Sequence, residues 1–452
     1  MAQIFPFRAY RYNPERVELS RVLTQPYDKV TQAMQARYYA LDPHNLVRIE
    51  RGRVEETDSL TNNVYTRAAQ ALEEWIADGS LLRESAPAVY VYFQEYMLPG
   101  TRTRHVRRGF IALGRVEDYS AGVVFRHELT HAGPKADRLE LLRHTRANTG
   151  QLFMLCADRE RRLDALLEDL AKPAPAVNVT DEFGVAHKLW PVTDAAAVAE
   201  FVRGMENKKL VIADGHHRYE TALAYRDESR KKFPSAGPDA PHEKVMMTIF
   251  PIHGAGLTIL PTHRLVSGIL DFDFSKFRRA LEPCFDWYAY PFADAAERTA
   301  ALEEFRHDLA ARGRSDSTGR RTIGIYPGGP PAGSGAFYLF LLKRAADLAD
   351  LLPDVAPAQL QLDVVLLHRL LLERGLAVTA EDVERGKHLA YERELEESIA
   401  AVDRGQAQMA CLLNPVRVEQ VSELALAGQV LPQKSTDFYP KLLSGITIYR
   451  LE

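Results

Sequence analysis

The chain has 452 residues, with 57 lysines and arginines against 61 aspartates and glutamates, a formal net charge of −4, and 46% hydrophobic residues. That length builds two or three domains with a large core, and the ordinary composition excludes a disordered or fibrous chain. A balanced charge offers no general basic face to DNA or an anionic membrane, and no apolar run approaches the ~18 residues of a membrane span.

Three cysteines, Cys156, Cys284 and Cys411, are far apart and odd in number, which argues against a disulfide framework and fits reduced thiols in a cytoplasm. The first residues, Met-Ala-Gln-Ile-Phe-Pro-Phe-Arg, lack the cationic-then-apolar pattern of a signal peptide. The expectation is a cytoplasmic protein that binds small molecules rather than nucleic acid or membrane. A homo-oligomer stays open.

Residues 1–30 read as extended segments ending at Gln25-Pro-Tyr-Asp28. Pro26 keeps Gln25 out of a helix, and Asp28 either caps the next helix or has a functional role. Helical spacing over 31–41 gives way to a short strand at Asn45-Leu-Val-Arg-Ile49. A long amphipathic helix is expected over 62–82, with Tyr65, Ala68, Ala69, Leu72, Trp75 and Ile76 on one face. Residues 89–93 and 108–113 read as paired strands. Val123-Val-Phe125 runs into Arg126-His-Glu-Leu-Thr-His131, and Gly133-Pro134 separates that block from a helix over 136–145. A strand over 151–155, a helix over 161–170, a strand over 187–192 and a helix over 195–204 capped by Asp194 follow.

Leu210-Val-Ile-Ala213 is an apolar run fit for a buried strand, and the chain turns at Asp214-Gly215. From His216, Tyr219, Ala222, Leu223 and Arg226 recur at helical spacing. A strand passing through a glycine turn into a helix leaves unpaired N–H groups and partial positive charge at the helix start, which favours an anion. His216, His217 and Arg218 add donors at the same end. The alternative is a plain corner with a polar, solvated first turn.

Strands are expected over 244–250 and 257–265, the second ending in Pro261-Thr-His-Arg264. Beyond about 268 the pattern changes to solvated helices through Arg314. A hairpin-like pair at 321–326 and 337–342, an apolar helix over 359–374, a strand over 409–413, a helix over 418–427 and a strand over 445–451 close the chain. The Gly/Pro/Ser run between the hairpin strands lacks the lysine of a phosphate loop.

His127-Glu128-Leu-Thr-His131 matches the zinc-protease pattern, which needs one continuous helix to put both rings on a face. Gly133-Pro134 breaks any such helix, so a zinc peptidase is the weakest of three readings. With Thr130, Lys135, Asp137 and Arg138, the block instead mixes a carboxylate base with cations. Phosphoryl transfer needs that mixture, for positioning, charge neutralisation and acceptance of a proton from the attacking hydroxyl. Glu128 or Asp214 is the candidate base or metal ligand, with His216 and His217 beside them. Gly215, Arg218, Lys135, Arg138 and Lys434 are candidates to hold phosphates. Asn148, His263 and Arg264 are candidates to hold substrate, although a local cap or a surface charge explains several of these equally well.

Ala213-Asp-Gly-His-His-Arg-Tyr-Glu-Thr-Ala-Leu223 resembles the signature of the DUF1015 family of bacterial and archaeal proteins of unknown function. The resemblance extends to Gln25-Pro-Tyr-Asp28, His127-Glu-Leu-Thr130 with Lys135 and Asp137-Arg138, and Ile259-Leu-Pro-Thr-His-Arg-Leu265. It also takes in Leu431-Pro-Gln-Lys-Ser-Thr436 with Phe438-Tyr-Pro-Lys-Leu442. Gly215-His-His-Arg218 further resembles the phosphate-binding turn of the ParB/sulfiredoxin superfamily, some members of which phosphorylate free serine. The resemblance implies an α+β fold. A ParB/sulfiredoxin-like mixed α/β core, carrying the nucleotide site, spans 1–267, and a C-terminal α+β domain spans 268–452. It implies ATP or ADP with Mg2+ as cofactors and free L-serine as substrate, phosphorylated or, in the reverse reaction, released from phosphoserine. A nucleotide-operated regulatory protein of ParB type is the second reading, though no helix-turn-helix or basic tail accompanies it.

Overall fold

The apolar runs become the middle of a mixed sheet. A computed structural model of the chain describes residues 1–99, 101–128, 132–313, 320–328, 335–343, 348–432 and 434–452. These divide into two compact units, one of Met1–Thr258 with Phe438–Glu452 and the other of Ile259–Asp437. The protein is thus α+β, with the last fifteen residues belonging to the first unit rather than the second. Among the described residues no helix is long and apolar enough to cross a membrane.

In the first unit, the described residues form a nine-stranded sheet. Across it lie Val124–Phe125, Leu210–Asp214, Leu152–Cys156, Lys244–Pro251, Arg104–Arg115, Val89–Met97, Ala186–Val192 and Val177–Thr180, with Ile4–Phe5 added beside Arg104–Arg115. Leu210–Asp214 runs parallel to Val124–Phe125, and Lys244–Pro251 runs parallel to Leu152–Cys156, while the other pairs are antiparallel. Central strands buried on both faces read as continuous apolar runs, which is why Leu152–Cys156 and Leu210–Asp214 carry almost no polar residue. Phe110, Met154, Phe201, Ile212 and Met247 form the core on one face.

On the other face sits a buried charge. Arg107 is fully shielded from solvent. Its guanidinium donates to the Gln94 side chain and to the carbonyls of Tyr439 (3.1 Å) and Pro440 (2.5 Å). It also lies 4.6 Å over the Phe153 ring and 4.8 Å over that of Phe250. Burial pulls its pKa down to about 10. The bonds fasten the returning C-terminal segment to the sheet, because a buried cation is tolerated only when its donors are met.

The second unit holds a six-stranded antiparallel sheet among its described residues. Its order is Phe285–Phe292, Gly335–Leu342, Thr322–Tyr326, Met409–Leu412, His263–Val266 and Leu389–Glu392. Phe305, Phe337, Leu339, Ile399 and Leu412 make its core.

Several elements differ from the sequence expectation. Residues 45–49, β-branched in part, form the one-turn helix Val47–Glu50, because the Asn45 side chain accepts from the Val47 N–H at 3.0 Å and starts a turn instead. Thr31, not Asp28, caps the helix Gln32–Leu41. The long helix stops at Ala77, and Leu81–Arg83 beyond Gly79 (φ 75°) is a strand. Gly133 and Pro134 fall inside the first turn of the helix Ala132–Thr145, where a proline costs no hydrogen bond. The run over 257–265 breaks at Pro261 into Thr258–Leu260 and His263–Val266. Phe285–Phe292, expected within a helical stretch, is a strand whose half-exposed residues disguise it.

Arg107→Met leaves three acceptors without a donor and is expected to cost about 3 kcal/mol of folding free energy. Urea unfolding reads this directly, and a loss under about 0.5 kcal/mol would show that the clamp is dispensable.

Candidate functional site

Leu210–Asp214 leads through Gly215 into the helix His216–Lys232, as its sequence anticipates. The strand carries a bulge between Ile212 and Asp214, which re-aims the carboxylate at its end. Gly215 takes φ 95°, ψ 25°, and no side chain caps the helix. Only glycine enters that conformation cheaply. A methyl group there would also lie 3.0 Å from Leu152 and 3.1 Å from Arg218 Nη2.

Arg218 folds back over the corner it follows. Its Nη1 donates to the Gln151 carbonyl, and Nη1 lies 3.0 Å from where a side chain on Gly150 would begin. The guanidinium is therefore wedged between two glycine turns, Gly150 and Gly215. Its Nε–H is shielded from solvent and meets no acceptor among the described residues. Leaving such a donor unmet costs about 1–3 kcal/mol.

Asp214 pairs with Lys441 Nζ at 2.9 Å. Burial by itself would raise the Asp214 carboxyl, but Lys441, Arg218 and Lys29 together hold it well below the usual carboxylate range. Lys441 and Lys29 are the charged groups that the sequence reading did not place at this corner. Lys441 lay in the quoted block Phe438-Tyr-Pro-Lys-Leu442, and only the fold brings it to the corner.

Behind the corner, His127 Nδ1–H donates to the Ile212 carbonyl at 2.7 Å, and the His127 N–H reaches His216 Nε2 at 3.4 Å. The two rings lie edge to face, 4.7 Å apart. Burial pushes both imidazoles below their ordinary value of 6.5. Glu128, Asp214 and the Ile212 carbonyl act the other way on His127, whereas the neighbouring imidazole lowers His216 further. Both are neutral, buried partners of the backbone. His217, the next residue, is only partly buried. Glu128 is 22% exposed, with Oε1 3.9 Å from His127 Nε2.

The described part of the zinc-protease pattern does not form the helix that pattern needs. Residues 126–128 are not helical, and His127 is turned into the core with its Nδ1 committed. Thr130 and His131 lie outside the described residues. Among those residues no group of three His, Cys, Asp or Glu side chains could hold a metal ion.

Lys135 sits 3.5 Å from Glu220, which also pairs with Arg126 at 3.4 Å. Arg138 donates to Asp137 (2.6 Å) and to the Glu50 carbonyl (2.8 Å), and lies 4.3 Å over the Tyr27 ring. Glu50 in turn accepts from the Thr149 hydroxyl at 2.5 Å. Arg138 therefore forms part of the wall of a cavity of about 800 Å³, with Tyr27, Arg51, Arg53 and Tyr65 among its lining. A second, smaller hollow of about 50 Å³, lined by Glu50, Arg138, Thr149 and Arg218, shares that wall. Tyr27 of the Gln25-Pro-Tyr-Asp28 block faces this cluster, and burial pushes its phenol up to about 12. Gln25 is anchored elsewhere, to Asp181 at 3.0 Å.

The remaining expected residues fall differently. Asn148 accepts from the Met246 N–H at 3.2 Å and so ties strands together. His263, Arg264 and Lys434 belong to the second unit. There the Lys434 side chain is exposed while its carbonyl accepts from Arg264 Nη2 at 3.2 Å.

The sequence matches the family described as "Protein of unknown function (DUF1015)" over residues 4–365. No curated protein matches the chain. Among solved structures it is similar to a conserved hypothetical protein from Pyrococcus furiosus, at 12% identity and a TM-score of 0.32, covering 73% of this chain and 92% of that one. It is also similar to a free serine kinase in complex with AMP, at 10% identity and a TM-score of 0.32, covering 70% and 83%. A third is SbnI with C-terminal truncation from Staphylococcus aureus, at 9% identity and a TM-score of 0.32, covering 74% and 85%. Likeness at these scores carries no conclusion about chemistry.

The buried imidazoles set a pH dependence. Below about 6.5 the unfolded chain takes up protons that folded His127 and His216 refuse, so stability is full above that pH and falls as the pH drops, by up to about 1.4 kcal/mol per unit for each ring. Urea unfolding between pH 7.5 and 5 should show this decline, and His216→Gln should make it shallower; an unchanged slope would place the proton uptake elsewhere. Gly215→Ala is expected to cost about 1–3 kcal/mol through its positive φ and the displaced Arg218, measured the same way.

Proposed function

The chain belongs to the DUF1015 family, whose description assigns no activity, and from its own side chains we propose that it binds a nucleotide at the Gly215 corner and transfers a phosphoryl group. The observation that carries this reading is the orphan Nε–H of Arg218 at the uncapped start of a seventeen-residue helix, with Lys441 and Lys29 close by. Backbone N–H groups, a helix dipole and three cations supply what a phosphate requires.

In this reading Lys441 and Arg218 neutralise the phosphates. Asp214, held ionised by its cations, is a poor proton acceptor because a carboxylate of low pKa is a weak base; it orients Lys441. Glu128, partly exposed one residue beyond His127, takes the proton of the attacking hydroxyl. Mg2+ would be held by the nucleotide oxygens plus one or two carboxylates, for which Glu128 and Asp214 are the residues at hand, and it would spread the charge of the transferring group. The 800 Å³ cavity, walled by Tyr27, Tyr65 and Arg138, has room for a nucleoside or a small metabolite.

Free L-serine is the first substrate to test, through the resemblance of Gly215-His-His-Arg218 to the turn of serine-phosphorylating proteins. The reverse transfer from phosphoserine to ADP would use the same groups.

Titration calorimetry with ATP and ADP is expected to show binding that Lys441→Ala or Arg218→Ala weakens about tenfold or more, the size of one lost charge-assisted contact. A coupled assay with L-serine then reads transfer. Nucleotide binding without turnover would remove the kinase reading and favour a nucleotide-operated regulatory protein. Absence of nucleotide binding would remove both.

A further inference from the structure

Two sequence blocks remain that the corner does not use, Thr262-His-Arg264 and Lys434-Ser435. Within the second unit they meet. Arg264 lies on the strand His263–Val266, 1% exposed, and its guanidinium donates to the carbonyls of Thr262 and Lys434 and lies 5.4 Å over the Tyr391 ring. Thr262, Arg264 and Ser435 line one small cavity of about 30 Å³, together with Arg321, Asp363 and Arg417. Every lining residue of that cavity lies in the second unit.

Charge in this cavity is unbalanced, with three guanidinium groups against one carboxylate. The carboxylate is itself unusual. Asp363 Oδ1 is shielded from solvent and accepts no hydrogen bond among the described residues. Burial raises its pKa to about 6, opposed only by Arg321. Arg264 carries enough field inside the unit to help depress His263 to about 4 and His368 to about 3, both chiefly lowered by burial. A fork of arginines beside an unmet carboxylate oxygen matches a ligand that presents an oxyanion and, next to it, a donor. The volume takes a head group, not a nucleotide.

We propose that the cavity lined by Arg264, Arg321, Arg417 and Asp363 is a second ligand site, for the oxyanion head of a small acid. Carboxylate and phosphate share that chemistry. The Arg264, Arg321 and Arg417 guanidinium groups hold the oxyanion, and Asp363 accepts a hydroxyl or amine on the adjoining carbon.

The test is titration calorimetry of the full chain with glycolate and, separately, with inorganic phosphate. Saturable binding of either is expected, weakened about tenfold by Arg417→Ala or Arg321→Ala. Both positions are incompletely buried, and an unchanged circular dichroism spectrum confirms that each variant folds. Glycolate alone would identify a carboxylate site, phosphate alone a phosphate site. Arg218→Ala, which strikes the proposed nucleotide corner, should leave this binding intact, so the two readings fail separately. No saturable binding of either probe, or binding that survives both arginine variants, overturns the proposal.

Discussion

The first unit depends on one buried guanidinium. Arg107 is sealed between two phenylalanine rings, and its donors are met by Gln94 and by two carbonyls of the C-terminal segment. A cation in that position has few ways to be satisfied, so it fixes where residues 439 and 440 run. The next residue, Lys441, is thereby delivered to Asp214. The electrostatics of the Gly215 corner follow from a contact made on a different strand.

The corner is built more by backbone than by free charge. Two glycines let the Arg218 guanidinium approach Gln151, and most neighbouring cations already have carboxylate partners: Lys441 with Asp214, Lys135 with Glu220, Arg138 with Asp137 and Glu50. In the proposed reading, a phosphate would therefore replace one anion by another rather than fill a bare positive surface. Exchange of that kind costs less desolvation than burying an isolated charge pair, and it gives specificity through geometry. The neutral imidazoles behind it, His127 and His216, keep the strand end in place without adding charge.

Much of this was legible in the residues. Leu210 to Arg218 announced strand, turn and helix, because an apolar run, an obligatory glycine and helical spacing are all local signals. The helix capped by Asp194 was legible for the same reason. What escaped was non-local. Lys441 meets Asp214, and Arg107 meets the carbonyls of Tyr439 and Pro440, across more than two hundred residues, and no spacing rule connects them. Phe285–Phe292 escaped because its exposed positions, Asp286, Tyr288, Ala289 and Pro291, break the apolar alternation and its neighbours look helical. Residues 45–49 look like a strand because Val47 and Ile49 are β-branched, yet one asparagine side chain turned them into a helix. His216 and His217 look equivalent in sequence, and only the fold separates the buried ring from the partly exposed one.

The chain of the second unit is an insertion within the first, since residues 438–452 complete the unit that residues 1–258 begin. During synthesis the corner therefore waits for residues 439–441: the lysine that neutralises Asp214 is translated more than two hundred codons after the glycine turn and the start of its helix. Ribosomes that stall in between would release a unit whose sheet is complete except for its clamp, with an unpaired Asp214 and an unanswered Arg107 inside it. The pairing of Asp214 and the satisfaction of Arg107 thus arrive together, with three consecutive residues, 439 to 441.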